Sequence, residues 1–228
     1  MKKRVLLLAV SCKNGGLCPG GLDLDDPSKW IRIVRDDGQA GAVQGCDIDF
    51  AQPLDVITFD GRPMPQGKQQ ENWVIDNKSC KNCGKAKPKN GTASDKEILD
   101  RAYSRYSYHG FWGNLLPYLN DSEFDAVKAP SESMLKVSNV RIYKNRSGKA
   151  KIDFDWICSC CGSHCNKLCG ISMTDQDFYE QIQDGEVTFK EAYIVISIPK
   201  QLGNWVNPNL QSGQKLAYKF VSRVYDIS

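Results

Sequence analysis

Two Cys-x-x-Cys-Gly stretches, Cys80 to Gly84 and Cys158 to Gly162, are the part of this chain best suited to holding a metal ion. A turn of this kind aims two sulfurs at one point, and the glycine permits the bend that lets backbone amides face the thiolates. Two such turns supply the four sulfurs of a tetrahedral zinc site. Cys80, Cys83, Cys158 and Cys161 are therefore the expected ligands of a structural Zn2+. The spacing leaves alternatives open. Cys160, His164, Cys165 and Cys169 lie close enough in sequence for the second turn to complete a site of its own, which would leave Cys80 and Cys83 unpaired or as a redox-active or disulfide pair. An iron–sulfur cluster is a further option, and Cys12, Cys46 and Cys160 also read as small buried residues. A catalytic zinc would keep an open position with histidine or carboxylate ligands. The chain has two histidines, His109 and His164, so a closed four-thiolate site with a tethering role is expected and no catalytic residue is assigned.

Ten cysteines fit either a secreted disulfide framework or a reduced protein. The N-terminal apolar run, Val5 to Val10, is shorter than a secretory core, and Ala9 three residues before Cys12 suits a lipoprotein cleavage site poorly. A buried first strand accounts for the run, and a reducing, cytoplasmic setting follows. With 41% apolar and 25% charged residues the composition argues against disorder and against a membrane span. The net charge of +3 implies no polyanionic partner by itself, so local charge must carry that argument.

Residues 136–151 hold six basic side chains and no acid. Lys144, Arg146 and Lys149 should gather at a hairpin tip beside Tyr143, where cations meet phosphates and a ring stacks on a base; a solvated turn is the plain alternative. The glycine-rich loop 11–21 offers the Gly15-Gly16 amides near Lys13 as an anion-binding concavity. It lacks the ending of a P-loop, and no dinucleotide fingerprint follows. Trp30 and Arg32 alternate with apolar neighbours and could face a ligand groove, or Trp30 could be core. The expected nucleic-acid contacts are thus Lys13, Trp30, Arg32, Tyr143, Lys144, Arg146 and Lys149. In a competing enzymatic reading, Cys18 in the glycine-rich loop is a nucleophile ionised by Lys13 and acts on a nucleotide or modified base.

The elements that must position these residues are mostly strands. Val5–Val10, 29–34, 54–59 and 72–76 read as strands of a first unit, residues 1–77. Residues 78–133 change character: a lysine-rich cysteine loop precedes a helix whose Ser94 and Glu97 form a reciprocal cap. From 134 to 228 the period returns to two. A hairpin turning at Ser147-Gly148 places Ile152, Phe154 and Trp156 on one side and Asp153 and Asp155 on the other. Thr174 can cap a short helix, and "AYIVISI" and "LAYKFVSRVY" read as the last strands. Mainly β structure with short helices (α+β), as two small barrels joined by a helical, cysteine-containing middle segment, is the expected class.

Several stretches in order resemble the dual OB-containing domain family of bacterial proteins: "LAVSCKNGGLCPGGLDL", "KWIRIV", "PLDVITF", "AYIVISIP" and "LAYKFVSRVYDI". The family's Ser-x-Lys-x-Gly-Gly-x-Cys character is matched by Ser11, Lys13, Gly15, Gly16 and Cys18. Its Trp-Ile-Arg-Pro-Val is matched by Trp30, Ile31, Arg32 and Val34, with Ile33 in place of proline. The Cys-x-x-Cys-Gly turns are not part of that pattern, so zinc rests on spacing alone. The resemblance implies two OB-like barrels, nucleic-acid or nucleotide recognition, and a place in bacterial conflict or anti-phage systems. A single-stranded DNA or RNA partner is the main expectation; a non-catalytic adaptor that recognises a protein of the same system is another.

Overall fold

The N-terminal apolar run extends in both directions, because Val5 to Ala9 are all buried and strands pair along both edges of it. In the computed structural model the described residues are 1–13, 15–37, 41–87, 94–106, 110–112, 114–157, 165–182, 185–206 and 215–228. They fall into two units, Met1–Ser107 and Tyr108–Ser228.

The first unit contains β1 (Lys2–Lys13), β2 (Gly16–Asp23), β3 (Trp30–Val34), β4 (Asp55–Pro63), β5 (Asn72–Ile75), β6 (Lys81–Lys85) and α1 (Asp95–Arg105). Its pairings run β1-β2-β3-β5-β4 and return from β4 to β1, with β6 added along β4. Only the β3–β5 pair in that ring is parallel. Val5, Leu7, Ile31, Ile33, Ile57 and Phe59 fill its centre. The glycine-rich run 11–21, expected as a loop, is instead strand on both sides of a tight turn. Gly15 takes φ +78° at that turn, and Gly21 lets β2 cross β1 so closely that a Cβ there would sit 1.9 Å from the Leu6 carbonyl oxygen. Cys18 consequently lies in β2, opposite Ser11, and not in a loop.

In the second unit the elements are β7 (Tyr118–Leu119), α2 (Asp121–Ala126), β8 (Glu132–Lys144), β9 (Ala150–Ile157), β10 (Cys165–Met173), α3 (Gln176–Gln181), β11 (Val187–Ser197), β12 (Gly203–Val206), β13 (Lys215–Tyr218) and β14 (Phe220–Asp226). Strands β8-β9-β10-β14-β11 close into a barrel, and β12-β13-β7 form a small sheet. Counting barrel strands along the chain, both units share the order 1-2-3-5-4 with a single parallel pair, third against fifth. That shared Greek-key plan is not visible as a sequence repeat. In the second barrel α3 bridges strands three and four; in the first a 3₁₀ turn, Gly45–Ile48, stands in that interval.

Helix α1 starts as expected: Glu97 N donates to Ser94 Oγ at 3.3 Å, and Ser94 N donates to Glu97 Oε2 at 2.9 Å. The middle segment 78–133 is shared between the units, with β6 and α1 in the first and β7 and α2 in the second. Helix α3 is capped by Asp175 and not by Thr174, whose hydroxyl is turned to the Val221 carbonyl at 3.4 Å. The final strand is broken at Lys219, where the backbone N–H leaves the ladder to reach the Pro117 carbonyl at 2.9 Å.

Candidate nucleic-acid interface

The basic hairpin forms where the alternation places it, with Lys144 paired to Ala150 and Ile142 to Ile152. Ile152, Phe154 and Trp156 enter the barrel core. Asn145 builds the tip: its side-chain oxygen accepts from Ser147 N (3.1 Å), Ser147 Oγ (2.9 Å) and Lys149 N (2.9 Å). Its carbonyl accepts from Gly148 N at 2.8 Å, and Gly148 takes the left-handed φ of +73° that closes the turn. Arg146 and Lys149 are exposed and Lys144 is half-buried, so the tip presents cations on an ordered frame.

Three neighbouring side chains, those of Arg141, Tyr143 and Lys151, are engaged elsewhere. Asp153 is buried and accepts from Arg141 Nη2 (2.6 Å), the Tyr143 hydroxyl (3.1 Å) and Gly170 N (2.7 Å). Burial and then the Asp153 charge push the Tyr143 phenol up, and the Arg141 guanidinium lies 4.7 Å from the Tyr143 ring centroid. Lys151 spends its ammonium on the Gly170 carbonyl (3.1 Å) and Ser172 Oγ (3.0 Å), and burial lowers its pKa, with Lys149 adding to the effect.

Sequence reasoning missed the ring that does face solvent at this tip. Tyr179 of α3 is 46% exposed, its hydroxyl donates to the Gly148 carbonyl at 3.4 Å, and the Lys144 ammonium sits 4.8 Å from its ring centroid. The available signal was positional: Phe178 supplies the helix's buried aromatic, so the adjacent Tyr179 must point away.

In the first unit, Lys13 ends β1 opposite Gly16, at the first hairpin of that barrel. Trp30 and Arg32 present no exposed face. Trp30 is 3% exposed with its ring 5.6 Å from that of Tyr106, and Arg32 Nε lies 3.8 Å from the Glu71 carboxylate. Every residue of β3 is buried, so alternation along it does not separate a core face from a ligand face.

Of the expected zinc ligands, Cys80 precedes β6 and Cys83 lies in it, while Cys158 and Cys161 lie outside the described residues, as do Cys160, His164 and His109. Gly84 takes φ +77°, the conformation a bend after a cysteine pair requires. Burial, the Asp49 charge and the neighbouring Cys83 push the Cys80 thiol up to about 12, so the two sulfurs are close enough to sense each other. A bound cation would reverse that penalty by deprotonating the thiol. Among the described residues no cluster of three or more Cys, His, Asp or Glu gathers around a point, so a metal at this pair would need ligands from beyond them. The expectation that Cys12 and Cys46 are buried is corrected: Cys12 is half-buried and Cys46, in the short 3₁₀ turn Gly45–Ile48, is exposed. Cys169 is also exposed. Among the described residues no helix is long and apolar enough to cross a membrane.

The model of one family, described as the dual OB-containing domain, matches residues 3–224. No curated protein matches the chain.

Proposed function

Because the chain belongs to the dual OB-containing domain family, we propose that it binds single-stranded nucleic acid through the first hairpin of its second barrel. OB barrels bind oligonucleotides on the face of their second and third strands and with the loop between the first and second. In this barrel those are β9, β10 and the 145–149 tip. The observation that carries the reading is that this loop holds Arg146 and Lys149, with Lys144 at the end of β8 before it and no carboxylate among them, beside the exposed ring of Tyr179. Cations contact phosphates without reading sequence, and Tyr179 offers a base a stacking surface. Tyr143 serves as the support beneath them, through its bond to Asp153. Lys13, at the corresponding hairpin of the first barrel, is a second phosphate contact in the same reading.

Zinc belongs to the same proposal. Cys80 and Cys83 would hold it with Cys158 and Cys161, in a closed structural site that supplies stability and no chemistry. A reducing, cytoplasmic setting suits such thiolates, and a role in a bacterial conflict or anti-phage system is what the family resemblance implies.

The test is photocross-linking of a 4-thiothymidine-substituted oligo-dT and a 4-thiouridine-substituted oligo-rU, followed by peptide mapping. Cross-links on peptides spanning 144–151 and 176–182 are expected. Cross-links confined to other peptides would overturn this placement of the interface, and none at low salt would overturn the reading and favour the adaptor.

A further inference from the structure

The first unit carries a cavity of about 360 Å³ between the outer side of its sheet and helix α1. Its floor is aliphatic, made by Leu6, Leu22 and Val56 of the strands and Ile98 of the helix. Its rim is cationic: Arg4, Lys87, Arg101 and Arg105 line it, and no carboxylate does. Arg101 and Arg105 are four residues apart and so share one helix face, set there by the Ser94–Glu97 cap that fixes where the helix begins.

The arginines of this unit divide into two groups. Arg32, Arg35 and Arg62 each face a carboxylate, of Glu71, Asp47 and Asp36 respectively. Arg4, Arg101 and Arg105, the three at the cavity, have no ion pair among the described residues. Nearby acids are committed elsewhere: Asp23 to Lys3, Asp95 to Lys85, and Asp100 to Lys96. Four like charges around an apolar depression repel one another, and an anion relieves that repulsion. Planar guanidinium groups suit the oxygens of a phosphate in particular. The volume lies in the range of small-ligand sites, and the aliphatic floor gives an organic body somewhere to lie.

We propose that this cavity is a binding site for a small organic phosphate, with the phosphate on the Arg4, Arg101 and Arg105 rim and the apolar body on the Leu6, Val56 and Ile98 floor. The floor has no aromatic ring and no ionised group to read a base edge, so a nucleotide would be held without discrimination among bases. The site is built wholly from residues 4–105 and does not depend on the hairpin of the second barrel.

Isothermal titration of the full chain with ADP, octyl phosphate and inorganic pyrophosphate separates the sources of this chemistry. ADP alone, or octyl phosphate alone, binding more tightly than pyrophosphate supports the site and names the ligand type. In the Arg101→Gln/Arg105→Gln variant, whose changes lie on an exposed helix face and spare the core, that affinity should fall by about tenfold or more at low salt. No binding by any of the three overturns the proposal. So does equal affinity for pyrophosphate and the organic phosphates, since the floor would then contribute nothing. Unchanged affinity in the variant, or full displacement of the ligand by an oligonucleotide, also overturns it. The Lys144, Arg146 and Lys149 tip is intact in every arm, so failure here leaves the nucleic-acid reading standing.

Discussion

Replacing Lys219 by methionine removes an ammonium that the second unit buries completely. Its Nζ donates to the Asn114 carbonyl (2.7 Å) and to Asn114 Oδ1 (3.0 Å), and lies 4.0 Å from the Phe111 ring centroid. No carboxylate forms an ion pair with it among the described residues, and burial pulls its pKa down from 10.5 to about 7. Below pH 7 the folded and unfolded states both carry the proton, and the folded state bears the full cost of the buried charge. Between pH 7 and 10.5 the folded state has released the proton while the unfolded state keeps it, so this residue makes stability rise with pH through that window. At 1.36 kcal/mol per pH unit, raising the pH from 7 to 9 should stabilise the natural protein by about 2–3 kcal/mol relative to Lys219→Met. Met keeps the aliphatic stem and loses the bonds to Asn114, which adds an offset that does not vary with pH. Urea unfolding followed by ¹⁹F NMR of 5-fluorotryptophan reads the second unit at Trp112 and Trp156, apart from Trp30 and Trp73 of the first. Parallel stability profiles for the two proteins across pH 7 to 9 would refute the reasoning.

Asp175 should be the costliest single carboxylate to remove in that unit. It is buried and accepts from Val224 N (2.9 Å), Asp177 N (3.2 Å) and Arg223 Nη1 (3.2 Å), tying helix α3 to β14. Asp175→Ala leaves a part-buried guanidinium and amide short of a partner, and about 3–5 kcal/mol is expected by chemical denaturation. Among glycines, Gly21→Ala should cost clearly more than Gly15→Ala. The first drives a Cβ into the Leu6 carbonyl, whereas the second meets open space and bears only the roughly 1–2 kcal/mol of a left-handed φ; thermal melts of the two variants check the order. For the zinc proposal, elemental analysis of the purified protein should find one zinc per chain, lost in Cys83→Ser; a stoichiometric content in that variant would remove Cys83 from the ligand set.

What could be read from the sequence was set by neighbours along the chain. The Ser94–Glu97 cap spans four residues, and the β8–β9 hairpin is fixed by alternation plus Asn145, Ser147 and Gly148, so both form as expected. Contacts between distant residues were not legible. Lys219 breaks the last strand because Pro117 and Asn114 hold its backbone and side chain, about a hundred positions upstream. The parallel meeting of β10 and β14 that completes the second barrel likewise leaves no local trace. At the candidate interface, charge was legible and partnership was not. Lys144, Arg146 and Lys149 sit on the expected tip, but Asp153 claims Tyr143 and Arg141, and Tyr179 arrives from a helix more than thirty residues away. Trp30 and Arg32 lie on a strand buried on both faces, where alternation carries no information about exposure.

The most direct test of the central claim is the salt dependence of oligo-dT binding, measured by fluorescence anisotropy for the natural protein and for Lys144→Ala/Arg146→Ala/Lys149→Ala. Each phosphate contact on a single strand contributes about 0.7 to the slope of log affinity against log salt, so losing three should flatten it by about 2 and weaken binding at low salt. Identical slopes and affinities for the two proteins would contradict the account.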